Sequence, residues 1–273
     1  MSTQRIIAII GVGRMGTALI RGLLSAGAPP ATIRAYDTDA ERLKAARGMG
    51  VTVCASAPEA AAGASVIVIA VKPADVPGAL HELGPSLTAQ QTVLSIAAGL
   101  KTRALRAALP ADCPAGVVRA MPNTPCLVGE GMSVVAQDSP ASAEGIAAGK
   151  DVLAAAGQVV ELPEKLLDAA TGLSGSGPAY VFTFIQALAD GGVAAGLPRA
   201  AALELAAQTL LGAARMVLAG EGHPEQLKDM VMSPAGTTAA GMAALESRAF
   251  RAAVMEAVVA AYRRARELGG DDP

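Results

Sequence analysis

Up to about residue 163, short apolar runs alternate with stretches whose apolar positions recur at helical spacing. The runs "RIIAII" (5–10), "TIRAYD" (32–37), "SVIVIAV" (65–71), "TVLSIAA" (92–98) and "GVVRAMP" (116–122) read as strands. They are apolar on both faces, as parallel strands covered by helices should be. Candidate helices lie between them, near 14–26, 39–48, 57–62, 74–83 and 101–108. This alternation predicts an α/β fold with a Rossmann-like, doubly wound parallel sheet over residues 1–162. Beyond that point strand signals vanish. Within 198–219, Leu203, Ala207, Leu210, Leu211, Ala214 and Leu218 form one stripe, with Glu204, Gln208 and Arg215 opposite. Pro198 suits a first helical turn. A further helix over 249–267 sets Phe250, Val254 and Val258 against Glu256, Arg263 and Glu267. Residues 163–273 are therefore expected to form an all-helical domain.

Composition sharpens this picture. The chain is 52% hydrophobic but only 2% aromatic, with no Trp, so its cores are built from Ala, Val, Leu and Ile. The Ala-rich faces of the second half are too extensive for about 110 residues to hide alone, which suggests packing against a second subunit. A net charge of −2 leaves no basic patch for nucleic acid or an anionic membrane. Small molecules and other protein chains are the expected partners. Cys54, Cys113 and Cys126 are odd in number and far apart, and His81 and His223 are the only histidines. No metal site or disulfide framework is expected, and a reducing cytoplasm fits. The N-terminal apolar run is too short for a signal peptide. No continuous apolar run approaches the ~20 residues of a membrane span.

Gly11, Gly13 and Gly16 complete a G-x-G-x-x-G between a strand and a helix. They serve the tight turn, close backbone approach to a pyrophosphate, and close helix–sheet packing. The loop residues Val12, Arg14 and Met15 would present helix N-terminal N–H groups to the phosphates. Asp37 ends the second strand, where a carboxylate accepts from a ribose diol and favours NADH, or else caps the following helix. Arg34 and Arg42 stand near enough in sequence to soften its repulsion of the 2′-phosphate of NADPH. Ala70, Val71, Lys72 and Pro73 follow a strand, where ligands of open α/β sheets bind. "AAG" (97–99), with Ala98 at its centre, would let a nicotinamide lie close. "MPNTP" (121–125) offers Asn123 as donor and acceptor.

In the helical half two glycine- and proline-punctuated passages each read as a helix start. In "GSGPAY", Ser176 is a natural N-cap and Pro178 an early helical residue. In "SPAGTT", Ser233 and Pro234 make a turn, and Gly236 opens a helix whose Thr237 and Thr238 set hydroxyls beside exposed N–H groups. Such a helix end suits a small carboxylate.

The order of these motifs, "AVKP", "SIAAG", "MPNTP", "LSGSGPAY", "ADGGVAAGLP", "HPEQLKD" and "SPAGTT" after the Gly-rich loop, resembles that of pyrroline-5-carboxylate reductases, from about residue 6 to residue 267. The resemblance implies reduction of a cyclic imine to L-proline, with hydride passing from NADPH or NADH to the C=N carbon. It implies a helical dimerisation domain that interleaves with its partner, and assemblies up to decamers. It places the substrate between the nicotinamide and the "SPAGTT" loop of a neighbouring subunit. Ser233, Gly236, Thr237 and Thr238 then serve the carboxylate and ring nitrogen, with Thr238 donating at the nitrogen; Glu164 lies near the substrate, and Ser176 is a further candidate substrate-binding residue. Asp37 stands where many members carry a small hydroxyl residue, Met230 where an Asn is common, and Ala235 replaces a frequent Gly, a mild change. Two other readings stay open: a β-hydroxyacid dehydrogenase, which would need a lysine in the lysine-free stretch 166–227, and a non-catalytic dinucleotide sensor.

Overall fold

The computed structural model describes residues 5–270. Its sheet has eight strands: β1 (Ile7–Ile10), β2 (Ile33–Tyr36), β3 (Thr52–Val53), β4 (Val66–Ile69), β5 (Thr92–Ser95), β6 (Gly116–Met121), β7 (Gly131–Ala136) and β8 (Gly157–Leu162). They lie in the order β3-β2-β1-β4-β5-β6-β7-β8. From β3 to β6 all pairings are parallel; β7 runs antiparallel to β6, and β8 parallel to β7. The chain winds outward from β1 in one direction and then from β4 in the other. This leaves a crevice at the carboxyl ends of β1 and β4, the place where such sheets bind ligands.

Helices α1 (Arg14–Ser25), α2 (Ala40–Gly48), α3 (Ala57–Ala61), α4 (Val76–Leu83), α5 (Thr102–Ala107) and α6 (Ala143–Ala154) connect the strands. The pleat explains why the strand runs are apolar throughout. Ile7, Ile9, Val66 and Val68 face one layer with Leu19, Ile20 and Leu153, whereas Ala8, Ile10, Ile67 and Ile69 face the other with Leu80 and Leu105. All three cysteines are buried and unpaired. Burial raises the thiols of Cys54 and Cys126 above the ordinary cysteine range.

The five strands and five helices expected from the sequence all form. Strands β3, β7 and β8 and helix α6 were not anticipated. β3 is two residues long, and β8, "GQVVEL", is half exposed and mixes charge with apolar residues, so neither carries the continuous apolar signal of a central strand. No strand follows Leu162 among the described residues.

The remaining helices are α7 (Leu167–Ala170), α8 (Gly177–Ala194), α9 (Arg199–Leu218), α10 (Pro224–Val231), α11 (Thr237–Ser247) and α12 (Phe250–Leu268). The described residues form two compact units, residues 5–176 with 260–270, and residues 177–259. Leu167 packs with the first of these units, fully buried in a small cluster with Val134 and Ala136 of β7.

The helical unit buries little of its own surface. Its core is Ala189, Ala202 and Ala206, with Ile185 and Val193 against them. Phe184 stacks on Phe250 at 5.6 Å between centroids, and the Tyr180 hydroxyl donates to the Ala257 carbonyl at 3.3 Å. The α9 stripe expected from the sequence is not the face that packs on α8: Leu203, Leu211 and Leu218 are exposed. By length and composition alone α9 would also suffice to cross a membrane, although Arg199, Glu204 and Arg215 interrupt its apolar sequence.

Candidate functional site

The crevice at β1 and β4 is a cleft of about 920 Å³ lined by Gly11, Gly13, Arg14, Met15, Asp37, Thr38, Arg42, Ala70, Val71 and Lys72. That is the size of a dinucleotide-scale pocket. Its glycines are required for different reasons. Gly11 has φ +97°, and a Cβ there would lie 2.7 Å from the Ala70 carbonyl carbon and 2.8 Å from the Val71 nitrogen. Gly16 is held just as tightly, since its Cβ would meet the Gly11 carbonyl oxygen at 2.0 Å. Gly13 differs. Its backbone is one that any residue adopts, and the nearest atom to an added Cβ is Arg42 Nη1 at 3.9 Å. Nothing in the protein requires a glycine there, but a close-lying ligand would. Gly13 is also the N-cap of α1 and offers no side-chain cap, so the first N–H groups of the helix face the cleft without one. The donor set and the open Gly13 fit a pyrophosphate.

Asp37 lines the cleft and is also engaged within the protein. Its side chain is 6% exposed. Oδ2 accepts the Val12 N–H at 2.6 Å, and Oδ1 accepts the Asp39 N–H at 2.9 Å. The carboxylate thus ties the end of β2 to the Gly-rich loop, and Arg42 Nη1 lies 3.5 Å from it. Arg34 points elsewhere, donating to the Ala62 carbonyl. Arg42 is half exposed and lines the cleft beside Thr38, so it is the nearer cation to any 2′-phosphate. Lys72 is exposed at the end of β4, with Pro73 opening the short turn after it. Ala98 is exposed in the β5–α5 loop, above buried Ala97.

Asn123 is engaged within the protein. Its Oδ1 accepts the Met132 N–H at 2.8 Å, and its Nδ2 donates to the Ser174 carbonyl at 3.0 Å. Both ends of the amide are spent on shaping the loop between β6 and β7. Ser176 likewise departs from the expected N-cap. It has right-handed helical dihedrals and closes a π turn over Thr171–Gly175, its N–H donating to the Thr171 carbonyl at 2.8 Å. A π turn of this kind marks many functional sites. Gly175 lets the turn lie close to β6: a Cβ there would meet Met121 Cε at 2.9 Å and displace the end of that side chain.

Arg119, Asp168 and Thr102 escaped the sequence reading. Arg119 is 3% exposed in the middle of β6 and donates to Asp168 at 3.0 Å and to Glu164 at 3.3 Å. Glu164 Oε1 also accepts the Thr102 N–H at 2.6 Å and the Thr102 hydroxyl at 2.8 Å. A lone arginine inside the apolar run "GVVRAMP" was the available signal, since a buried charge needs a partner. Its partners lie 45 and 49 residues later.

In the helical unit, Ser233 to Gly236 form a turn closed by the Gly236 N–H on the Ser233 carbonyl at 3.0 Å. Pro234 takes the second position, and Ala235 the third with φ +56°. That third position in such a turn favours glycine. The replacement of glycine by Ala235 is therefore a strained one, contrary to its reading as mild. Ala235→Gly is expected to stabilise the loop by about 1 kcal/mol, raising the melting temperature by a few degrees; a fall in melting temperature would contradict this. Gly236 is closely packed: a Cβ would lie 2.2 Å from Ser233 Oγ, which would have to rotate away, and 3.1 Å from the Ser233 carbonyl oxygen. It N-caps α11 with no side-chain hydrogen bond, leaving the helix start, with Thr237 exposed and Thr238 half-buried, able to receive an anion.

Comparison with known proteins accords with both halves. Residues 6–99 match the family model "NADP oxidoreductase coenzyme F420-dependent", and residues 164–268 match "Pyrroline-5-carboxylate reductase dimerisation". A pyrroline-5-carboxylate reductase of Synechocystis is 44% identical over 271 residues, 98% of this chain and 99% of that one. The chain belongs to the pyrroline-5-carboxylate reductase family. The Arabidopsis thaliana member is 44% identical over 96% of this chain and 95% of its own. Among solved structures, the reductase of Coxiella burnetii superposes with a TM-score of 0.91 at 32% identity, covering 99% of this chain and 100% of that one. The Plasmodium falciparum reductase, solved with NADP bound, gives 0.87 at 33% identity, covering 98% and 99%. Membership explains the thin core of the helical unit: a dimerisation region self-associates, and the bare apolar faces of α8 and α9 are what a partner would cover.

Proposed function

We propose that this chain reduces 1-pyrroline-5-carboxylate to L-proline with a reduced nicotinamide dinucleotide. The observation that carries this reading is the 44% identity, across 98% of the chain, to a relative bearing that activity in its name. When bound, the dinucleotide supplies the hydride that the imine carbon accepts. The chain's own residues do the rest by positioning and polarisation. The loop of Gly11, Gly13 and Gly16 with the start of α1 holds the pyrophosphate, and Ala97 and Ala98 leave room for a flat ring. The α11 N-terminus receives the substrate carboxylate, and the Thr238 hydroxyl donates a hydrogen bond to the ring nitrogen, polarising the C=N bond toward hydride and standing where a proton is relayed to that nitrogen as the amine forms. The stretch 166–227 carries no lysine, which disfavours the hydroxyacid dehydrogenase reading. Thr238→Ala is expected to lower kcat about 100-fold while the dissociation constant of the cofactor moves less than about twofold. Unchanged turnover would remove Thr238 from the site.

NADPH is the cofactor this site favours, in place of the NADH expected from Asp37 alone. The Asp37 carboxylate already accepts the Val12 and Asp39 N–H groups, and Arg42, paired with Asp37 and Asp39, keeps a half-exposed guanidinium at the cleft. Arg42→Ala should raise the KM for NADPH about tenfold and that for NADH hardly at all. Equal effects on the two would refute the assignment. The working unit is a homodimer or a higher assembly of dimers, its interface formed by the exposed stripe of Leu203, Leu211 and Leu218. Three unpaired, buried cysteines suit a reducing cytoplasm.

A further inference from the structure

The loop between β5 and α5, residues 96–101, carries the small residues over which a nicotinamide would lie. Gly99 turns it with φ +76°, where a Cβ would sit 3.5 Å from Leu268 Cβ. Its exit is the start of α5, whose N-cap, Lys101, makes no side-chain capping bond. The donors at that start are served from 62 residues away, by Glu164 Oε1 accepting both the Thr102 N–H and the Thr102 hydroxyl. A carboxylate at a helix start is favoured by the dipole and by charge-assisted hydrogen bonding. It is itself held on two sides. Arg119, buried and shared with Asp168, donates to the same oxygen, and the Glu164 N–H donates to Asp138 Oδ1 at 2.7 Å.

We propose that Glu164 is a positioning residue that sets the height of the 96–101 loop beneath the nicotinamide by capping α5 through Thr102, with Arg119 and Asp168 fixing that carboxylate. Glu164 does not serve as a ligand of the imine. The inference rests on the cofactor reading of the cleft, and it deepens that reading by naming what holds the nicotinamide end. A loop fixed at both ends keeps the donor carbon at a constant distance from its acceptor, and hydride transfer falls steeply when that distance is lost. Thr102 and Glu164 are then one device, and damage to either has the same result.

The test compares the full-length enzyme with Thr102→Val, Thr102→Ser, Glu164→Gln and the Thr102→Val/Glu164→Gln double variant. Single-turnover rates are measured with NADPH and with its 4-deuterated form, together with the KM for pyrroline-5-carboxylate. Amide hydrogen exchange of residues 96–104 is followed with and without NADPH. Thr102→Val and Glu164→Gln should each slow hydride transfer roughly tenfold and raise the deuterium isotope effect on kcat, because chemistry becomes more rate-limiting. The KM for the imine should stay within about twofold, the double variant should be no slower than the slower single one, and Thr102→Ser should restore the rate. Exchange at the start of α5 should quicken in both damaged variants, even without cofactor. The proposal is overturned if Glu164→Gln raises the KM for the imine while Thr102→Val behaves as wild type, or if the two effects add. If the wild-type protein turns over no imine at all, the reaction assignment falls, and the exchange data alone then decide whether Glu164 holds the loop.

Discussion

Gly13→Ala is expected to leave the protein folded and to weaken dinucleotide binding by about 10- to 100-fold, the cost of overpacking by one methyl. The three glycines of the loop differ in what requires them. Gly11 and Gly16 are demanded by the protein itself: added Cβ atoms would reach 2.7 Å from the Ala70 carbonyl carbon and 2.0 Å from the Gly11 oxygen. Alanine at either should destabilise the chain whether or not it binds a nucleotide. Gly13 has ordinary backbone dihedrals and open space, so alanine there costs the free protein little. Beyond the preference of a helix N-cap for glycine over alanine, it is a pyrophosphate lying against the loop that gives that position a reason to be glycine. Titration of NADPH into the variant, alongside its thermal melt, checks the point. Unaltered affinity in a folded Gly13→Ala protein would mean that the loop is a tight turn and nothing more.

Arg119→Met should cost about 3–5 kcal/mol of stability, because it leaves Asp168 and Glu164 without the buried cation that neutralises them. Arg119 is 3% exposed and Asp168 8% on its side chain, so neither group recovers much hydration when its partner is removed. The pair itself need not be stabilising relative to an apolar core. Replacing both members, as in Arg119→Met/Asp168→Leu, should therefore recover much of the loss. The measurement is the melting temperature, with a drop of roughly 6–20 °C expected for the single variant. A change of less than a degree or two would show that the charges find water and that the network is peripheral.

The features legible in the sequence were those written locally. The Gly-rich loop, the two-faced apolar strands and the turn before Gly236 are short patterns whose physics is complete within a few residues. What escaped depends on partners far along the chain. The reach of Asp37 toward Val12, 25 residues earlier, could not be read from "YDTDAE", and it bears on the cofactor preference drawn from that residue. Glu164 and Thr102 are similarly joined across 62 residues. Ser176 looked like an N-cap because its neighbours Gly177 and Pro178 suit a helix start, but the preceding turn widens to π geometry over Thr171–Gly175. The α9 stripe was visible as a stripe, and its exposure is what a self-associating chain would show. Ala235 appeared harmless until its positive φ was known.

The most direct test of the central claim is absorbance-monitored oxidation of NADPH and NADH, in parallel, with pyrroline-5-carboxylate as acceptor and proline measured as product. The account predicts oxidation matched by proline formation, with the higher kcat/KM for NADPH. Binding of either dinucleotide without oxidation in the presence of the imine would contradict it.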